Sequence, residues 1–194
     1  MIVAHPDDET LWAGGKVLSH PEWDWFIVAM CRGSDPDRSP RFLRALERFG
    51  AEGDMADLDD GPAQEPLPDA EVEATVLALL EGRSFDLLFT HGPKGEYTRH
   101  LRHEETSKAV AALWERGEVR AGELWLFAYE DGGGLYLPRA ATDAHLTERL
   151  PDEVWRQKSE IIGGIYGFAP ESLEARMNPR QEAFRRLESA DKLP

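Results

Sequence analysis

Cysteine is almost absent: Cys31 stands alone in 194 residues. No intrachain disulfide can form, and no zinc-finger spacing is possible. Any metal site must draw on His, Asp and Glu. Positive charge is scarce as well. Lys and Arg number 22 against 37 Asp and Glu, a formal net charge of −15. That sign is wrong for a nucleic-acid or an anionic-membrane partner, both of which need a basic face; only a local patch at Arg38, Arg41 and Arg44 suits an anion. Long apolar runs are missing too. None approaches the roughly 20 residues of a membrane span, and no signal-peptide pattern is present, so the expected location is the cytoplasm. Phosphate-cradling glycine motifs are also lacking: neither G-x-G-x-x-G nor a P-loop occurs, and no helix start follows Asp131-Gly132-Gly133-Gly134.

What is present reads as an ordinary globular chain, 41% hydrophobic and of a length that suits one domain over residues 1–194. Ile2-Val3-Ala4 is a strand candidate, so near Met1 that upstream residues are expected to be missing. Pro6 and the acids after it suit a first helical turn, with Leu11, Val17 and Leu18 buried and Gly14-Gly15 allowing close backbone approach. Trp25 to Cys31 is an apolar run of strand length. Phe42, Leu43, Leu46 and Phe49 fall at helical spacing before a C-capping Gly50. Residues 51–69, acidic and rich in Pro and Gly, predict a loop with at most one short strand. Val72, Val76, Leu79 and Leu80 mark a helix, Phe85 to Thr90 the clearest buried strand, Val110, Leu113 and Trp114 another helix, and Leu124 to Tyr129 a further strand. This alternation implies βαβ units: a Rossmann-like, three-layer α/β fold with a mostly parallel sheet covered by helices on both faces. Later, Val154 to Ile162 suggests one helix and Met177 to Leu187 another, and the aromatics of this C-terminal third point to a homo-oligomer.

Chemistry concentrates in two segments. His5-Pro6-Asp7-Asp8-Glu9 follows the first strand candidate, and Gly95-Glu96-Tyr97-Thr98-Arg99-His100-Leu101-Arg102-His103 follows the strand at 85–90. Ligands in open α/β sheets bind beyond the carboxyl ends of strands, which puts both segments on one rim. An isolated Asp-Asp-Glu would be no more than acids at a helix start. His5 beside it and the His100/His103 pair downstream turn the cluster toward a metal. His5 and Asp8 are three apart and can converge, and His100 and His103 share that spacing at a helix entrance. Two imidazoles and one carboxylate suit zinc with open positions, though iron, nickel or cobalt fit the same donors. His91 reads as a strand-end histidine satisfied by backbone, and Trp12 as packing or, less simply, as the wall of a sugar pocket.

Ala4-His5-Pro6-Asp7-Asp8-Glu9 resembles the signature of the PIG-L/LmbE family of zinc-dependent N-acetylglucosaminyl deacetylases, and His100 and His103 match the histidines of its second motif. The resemblance implies that His5, Asp8 and His103 hold the metal, Asp7 is the general base and His100 stabilises the oxyanion. It implies substrate contacts from Arg38 and Asp60. The expected activity is hydrolytic removal of an N-acetyl or other N-acyl group from a small glucosamine-type conjugate. A larger acyl or peptide-like amide, or sugar binding without catalysis, are the alternatives. Leu101-Arg102 stands where the family has Pro-Asp, so any supporting role of that aspartate is lost or moved. Arg41 replaces a usual glutamate, and Gly163-Gly164-Ile165-Tyr166 replaces a C-terminal His-x-Ser-Gln.

Overall fold

In a computed structural model, residues 1–97 and 99–188 are described. The chain opens with β1 (Ile2–Val3), α1 (Asp8–Ser19), β2 (Phe26–Ala29), α2 (Arg38–Phe49) and β3 (Glu52–Met55). The three strands form a parallel sheet in the order β1-β2-β3. Helix α3 (Asp69–Leu80) leads to β4 (Ser84–Thr90), α4 (Leu101–Glu115) and β5 (Arg120–Phe127), and β4 and β5 pair in parallel. After a small pair of strands, β6 (Tyr129–Glu130) and β7 (Arg139–Ala140), come β8 (Leu146–Arg149), α5 (Asp152–Glu160), a π-helical turn (Ile161–Ile165), α6 (Leu173–Met177) and β9 (Gln181–Glu188). Strand β9 runs antiparallel between β5 and β8. The result is the α/β class the sequence implies.

Strand residues alternate between two apolar clusters. Met1, Val3, Ile27 and Ala29 join one with Trp12, Phe42 and Phe49; Ile2 and Val28 join the other with Val72, Val76 and Leu113. Burial on both faces explains why β2 reads as a continuous apolar run rather than an alternating one. Val72, Val76, Leu79 and Leu80 of α3 are buried, as their spacing predicts, and Gly50 ends α2 at φ 67°, the left-handed conformation glycine tolerates best.

One expectation fails. Met177 to Leu187 predicts a helix, yet β9 occupies Gln181–Glu188. Gln-Glu-Ala-Phe-Arg-Arg-Leu-Glu has good helix propensity, but both edges of β9 are taken by neighbouring strands. Its buried Glu182 also accepts the Gly15 and Lys16 N–H groups at 2.7 Å each and the Lys158 amine at 2.8 Å. A Cβ on Gly15 would run into Leu150 and Glu182, so this packing needs the glycine.

Strands β1 and β4 are tied at their carboxyl ends. Thr90 donates its hydroxyl to Ile2 O at 2.9 Å, and the Ala4 N–H donates to His91 Nε2 at 2.8 Å. These two bonds bring the distant loops onto one rim.

Candidate metal centre

The first loop is held in a strained shape. Asp7 sits at φ 112°, a region costing a non-glycine residue roughly 1–3 kcal/mol. Its carbonyl accepts from Thr10 N and Leu11 N at 3.0 and 2.8 Å, starting α1, while its own N–H donates to Glu9 Oε2 at 2.9 Å. Buried Glu9 also accepts the Tyr166 hydroxyl at 2.7 Å, so the π-helical turn far along the chain braces this loop. The bend presents Asp7 and Asp8 in different directions.

Asp8 faces the imidazoles. Its Oδ2 lies 3.2 Å from His5 Nδ1 and 3.3 Å from His103 Nε2, and those two nitrogens are 3.2 Å apart. A tetrahedral ion with about 2.0–2.1 Å bonds would keep its donors about 3.3 Å from one another, so the near-equilateral triangle suits one small cation. Two overlapping donor clusters surround it, His5–His100–His103 and Asp8–His91–His103. Hydrogen bonds separate their members. His91 Nε2 accepts from Ala4 N, so its proton is on Nδ1, donated to Glu96 Oε2 at 2.8 Å; neither nitrogen is free. Glu96 Oε2 also accepts the His103 Nδ1 proton at 2.7 Å, which aims His103 Nε2 at Asp8. On the other side, His5 Nε2 lies 3.2 Å from Asp60 Oδ1. The outer nitrogen of each imidazole thus has a carboxylate close by, hydrogen-bonded at His103 and in ion-pair range only at His5; a carboxylate behind the ring is the usual arrangement around a ligating histidine. Fully buried Trp12 donates its indole N–H to Asp8 Oδ1 at 3.0 Å, so it packs against the site instead of lining a sugar pocket.

The electrostatics favour a positive charge inside the triangle. Burial alone would raise the Asp8 carboxyl, but the charge of His103 and the hydrogen bonds of His103 and His5 outweigh it and hold Asp8 well below the usual carboxylate range. Burial works against a charged His103 ring, yet Asp8 and Glu96 raise it to about 10. Asp7 behaves oppositely: burial, then the neighbouring Asp8 and Glu9 charges, push it well above the normal carboxylate value, with Arg38 opposing them. His100 is lowered to about 4 by burial and by the charges of His103 and His5. It is therefore a neutral ring at pH 7, and its buried Nδ1 has no hydrogen-bond partner.

A cavity of about 230 Å³ opens over the triangle, walled by His5, Asp7, Asp8, Arg38, Asp60 and His100, among others. Six of the seven residues singled out in the sequence meet there, and His103 lies beneath them with no exposure. Arg38 Nη1 is 3.3 Å from Asp7 Oδ2, and its guanidinium stacks over Phe168. Asp60, to which the resemblance gives a sugar hydroxyl, has its oxygens engaged by His5, by Gln64 at 2.8 Å and by Arg32 at 2.6 Å. Glu96 is the residue that sequence reasoning missed; a carboxylate seven positions before His103 on a rim loop was the available signal. Arg102, at the position of the family's aspartate, turns away from the triangle. Completely buried, it binds Asp59 O, Glu65 O and Glu105, and so pins the loop that carries Asp60.

Fold and donors together define an α/β protein with a candidate His/Asp metal site at the carboxyl edge of its strands. Residues 1–114 match PIG-L, GlcNAc-PI de-N-acetylase, and the chain belongs to that family. Among solved structures it resembles a deacetylase of the teicoplanin biosynthesis pathway (TM-score 0.70, 13% identity, 98% of both chains). It also resembles the zinc-inhibited form of teicoplanin deacetylase Orf2 (TM-score 0.68, 13% identity, 98% of both chains). A third match is GalB, the 4-carboxy-2-hydroxymuconate hydratase of Pseudomonas putida (TM-score 0.64, 15% identity, 96% of this chain and 94% of that one). At such identities these likenesses concern the fold alone. The chain is also 20% identical over 146 residues to the uncharacterized protein L374 of Acanthamoeba polyphaga mimivirus, spanning 67% of itself and 61% of that relative. Among the described residues no helix is long and apolar enough to cross a membrane.

Proposed function

We propose that the protein is a metal-dependent amide hydrolase that removes an N-acetyl or other N-acyl group from a small amino-sugar conjugate. The observation that carries this reading is the triangle of His5 Nδ1, Asp8 Oδ2 and His103 Nε2, with edges of 3.2–3.3 Å. These three residues would hold zinc or another divalent transition ion. Such an ion, when bound, polarises a carbonyl and makes water acidic enough to attack it near neutral pH. Asp7 stands beside that position, outside the triangle, and takes the proton of the attacking water, later returning it to the departing amine. Its tendency to hold a proton in this buried, acidic surrounding suits the second half of that task. Neutral His100 donates a hydrogen bond to the oxygen that becomes negative as the carbonyl turns tetrahedral. Arg38, which lines the cavity beside Asp7, meets the sugar, while Asp60 orients His5.

Elemental analysis after zinc reconstitution tests the site: about one equivalent per chain is expected, and none in His5→Ala. Acetate release from a panel of N-acetylglucosaminides tests the reaction. Asp7→Asn, which keeps the shape and tolerates the left-handed backbone, should retain the ion and lose roughly 10²–10⁴-fold in turnover. Unaltered turnover in that variant removes Asp7 from the mechanism. Stoichiometric binding without acyl release from any amide in the panel sinks the hydrolase reading but not the site.

A further inference from the structure

Arg41, Tyr166 and Phe168 have no part in the reaction proposed above, yet their contacts all lead to Asp7. Tyr166 and Phe168 belong to the stretch that leaves the π-helical turn. The chain folds back there: Tyr166 N donates to Ile161 O at 3.0 Å and Phe168 N to Ile162 O at 3.2 Å, with Gly167 between them at φ 77°. Carbonyls at a helix end lack partners within the helix. Those of Ile165 and Tyr166 accept instead from Arg41 Nη1 on α2, at 3.2 and 2.6 Å. Arg41 is itself aimed by Asp37, whose Oδ1 accepts its Nε at 2.9 Å. A Cβ on Gly167 would run into the Arg41 guanidinium, so this contact needs the glycine as well as the arginine.

The stretch held in this way reaches Asp7 from two sides. On the main-chain side, the Tyr166 hydroxyl donates to Glu9 Oε1 at 2.7 Å, and the other oxygen of that carboxylate accepts the Asp7 N–H at 2.9 Å. Thr10 also donates to Glu9, but it sits on the same helix and moves with it. Tyr166 is the tie that comes from a distant part of the chain. On the side-chain side, the Phe168 ring lies 4.8 Å from the Arg38 guanidinium, and Arg38 Nη1 is 3.3 Å from Asp7 Oδ2. At φ 112° Asp7 stays in place only because its surroundings hold it there.

Taking Asp7 as the base of the amide hydrolase, we propose that residues 165–168, locked by Arg41, are the positioning device for that base. Tyr166 fixes the Asp7 backbone through Glu9, and Phe168 fixes its carboxylate through Arg38. The consequence is selective. His5, Asp8 and His103 lean on Asp60, Trp12 and Glu96, all outside this stretch. Loosening it therefore spoils proton transfer and leaves the grip on the ion unaltered. Proton transfer is sensitive to such slack, since a displacement of about 1 Å can cost about 10²-fold in rate.

Tyr166→Phe, Phe168→Leu and Arg41→Met, each with and without Asp7→Asn, provide the test. Tyr166→Phe should bind zinc with unchanged stoichiometry and affinity. It should lose roughly 10–100-fold in kcat on the best N-acetylglucosaminide of the panel, with KM little changed, and add nothing to the loss caused by Asp7→Asn. Hydrogen exchange of the Asp7 amide, followed by NMR on the chelator-treated chain, should quicken at least about tenfold in Tyr166→Phe and in Arg41→Met. Phe168→Leu should leave that amide as it was and lower kcat alone; full kcat in this variant removes Phe168 from the device. Unchanged Asp7 exchange in both Tyr166→Phe and Arg41→Met overturns the proposal. So does loss of zinc together with turnover, or an equal kcat loss in the Asp7→Asn background, either of which is what simple packing would give. If no amide in the panel is cleaved, or Asp7→Asn works as fast as the unaltered chain, the hydrolase reading fails instead, and exchange at Asp7 still decides whether residues 165–168 hold it.

Discussion

The two imidazoles of the triangle are held by opposite means. On the His103 side everything is internal: His103, His91 and Glu96 are fully buried, and Glu96 Oε2 receives both rings at 2.7 and 2.8 Å. On the His5 side the support is borrowed from the surface. His5 is partly exposed and leans on Asp60, which is steadied in turn by the solvent-facing Arg32 and by a loop that Arg102 anchors. One half is a buried floor and the other a partly exposed wall.

The sharpest way to break the contrast is His103→Ala. It should abolish stoichiometric metal binding and leave Asp8 and Glu96 buried without their shared partner, costing about 3–5 kcal/mol of stability, readable by urea unfolding. Glu96→Gln keeps the shape but cannot accept a proton donor from both rings equally well. It should lower zinc affinity by about 10–100-fold, measured by competition with a chelating dye. Asp60→Asn tests the wall and should fall at or below the lower end of that range, so an effect larger than that of Glu96→Gln would invert the comparison.

A pH series on the chelator-treated chain gives a smaller effect with a defined sign. His103 is raised from 6.5 to about 10. Its stabilising contribution is therefore complete below about pH 6.5 and is lost as pH climbs toward 10. Glu96 is lowered from 4.5 to about 2, so its contribution is present above about pH 4.5 and lost on acidification toward 2. Melting temperature should fall on both flanks. Zinc affinity should increase with pH over the range in which His103 gives up its proton.

Much of the floor and wall was legible because their residues lie in short, contiguous motifs at strand ends. Alternation of apolar runs was enough to place His5 and His103 on one rim. Glu96 was less visible, because its partners are the two rings of distant histidines and nothing in the spacing alone says that a rim carboxylate turns inward. Asp60 was found as a residue but not as a support for His5: its engagement depends on Arg32, itself at φ 70°, and on the loop path fixed by Arg102. β9 was misread because helix propensity is a local property, whereas two waiting strand edges and a buried lysine are not. The bracing of Glu9 by Tyr166 was hidden for the same reason, 157 residues apart.

The left-handed backbone at Asp7 carries a consequence for how this lineage can change. Glycine and asparagine tolerate that conformation better than most other residues, and a single base change in an aspartate codon yields either one. Either change removes the Asp7 carboxylate while leaving a backbone the new residue tolerates and His5, Asp8 and His103 in place. Relatives that keep the His5, Asp8 and His103 triangle but lack the proposed hydrolase activity should carry Asn or Gly here more often than Ala or Val.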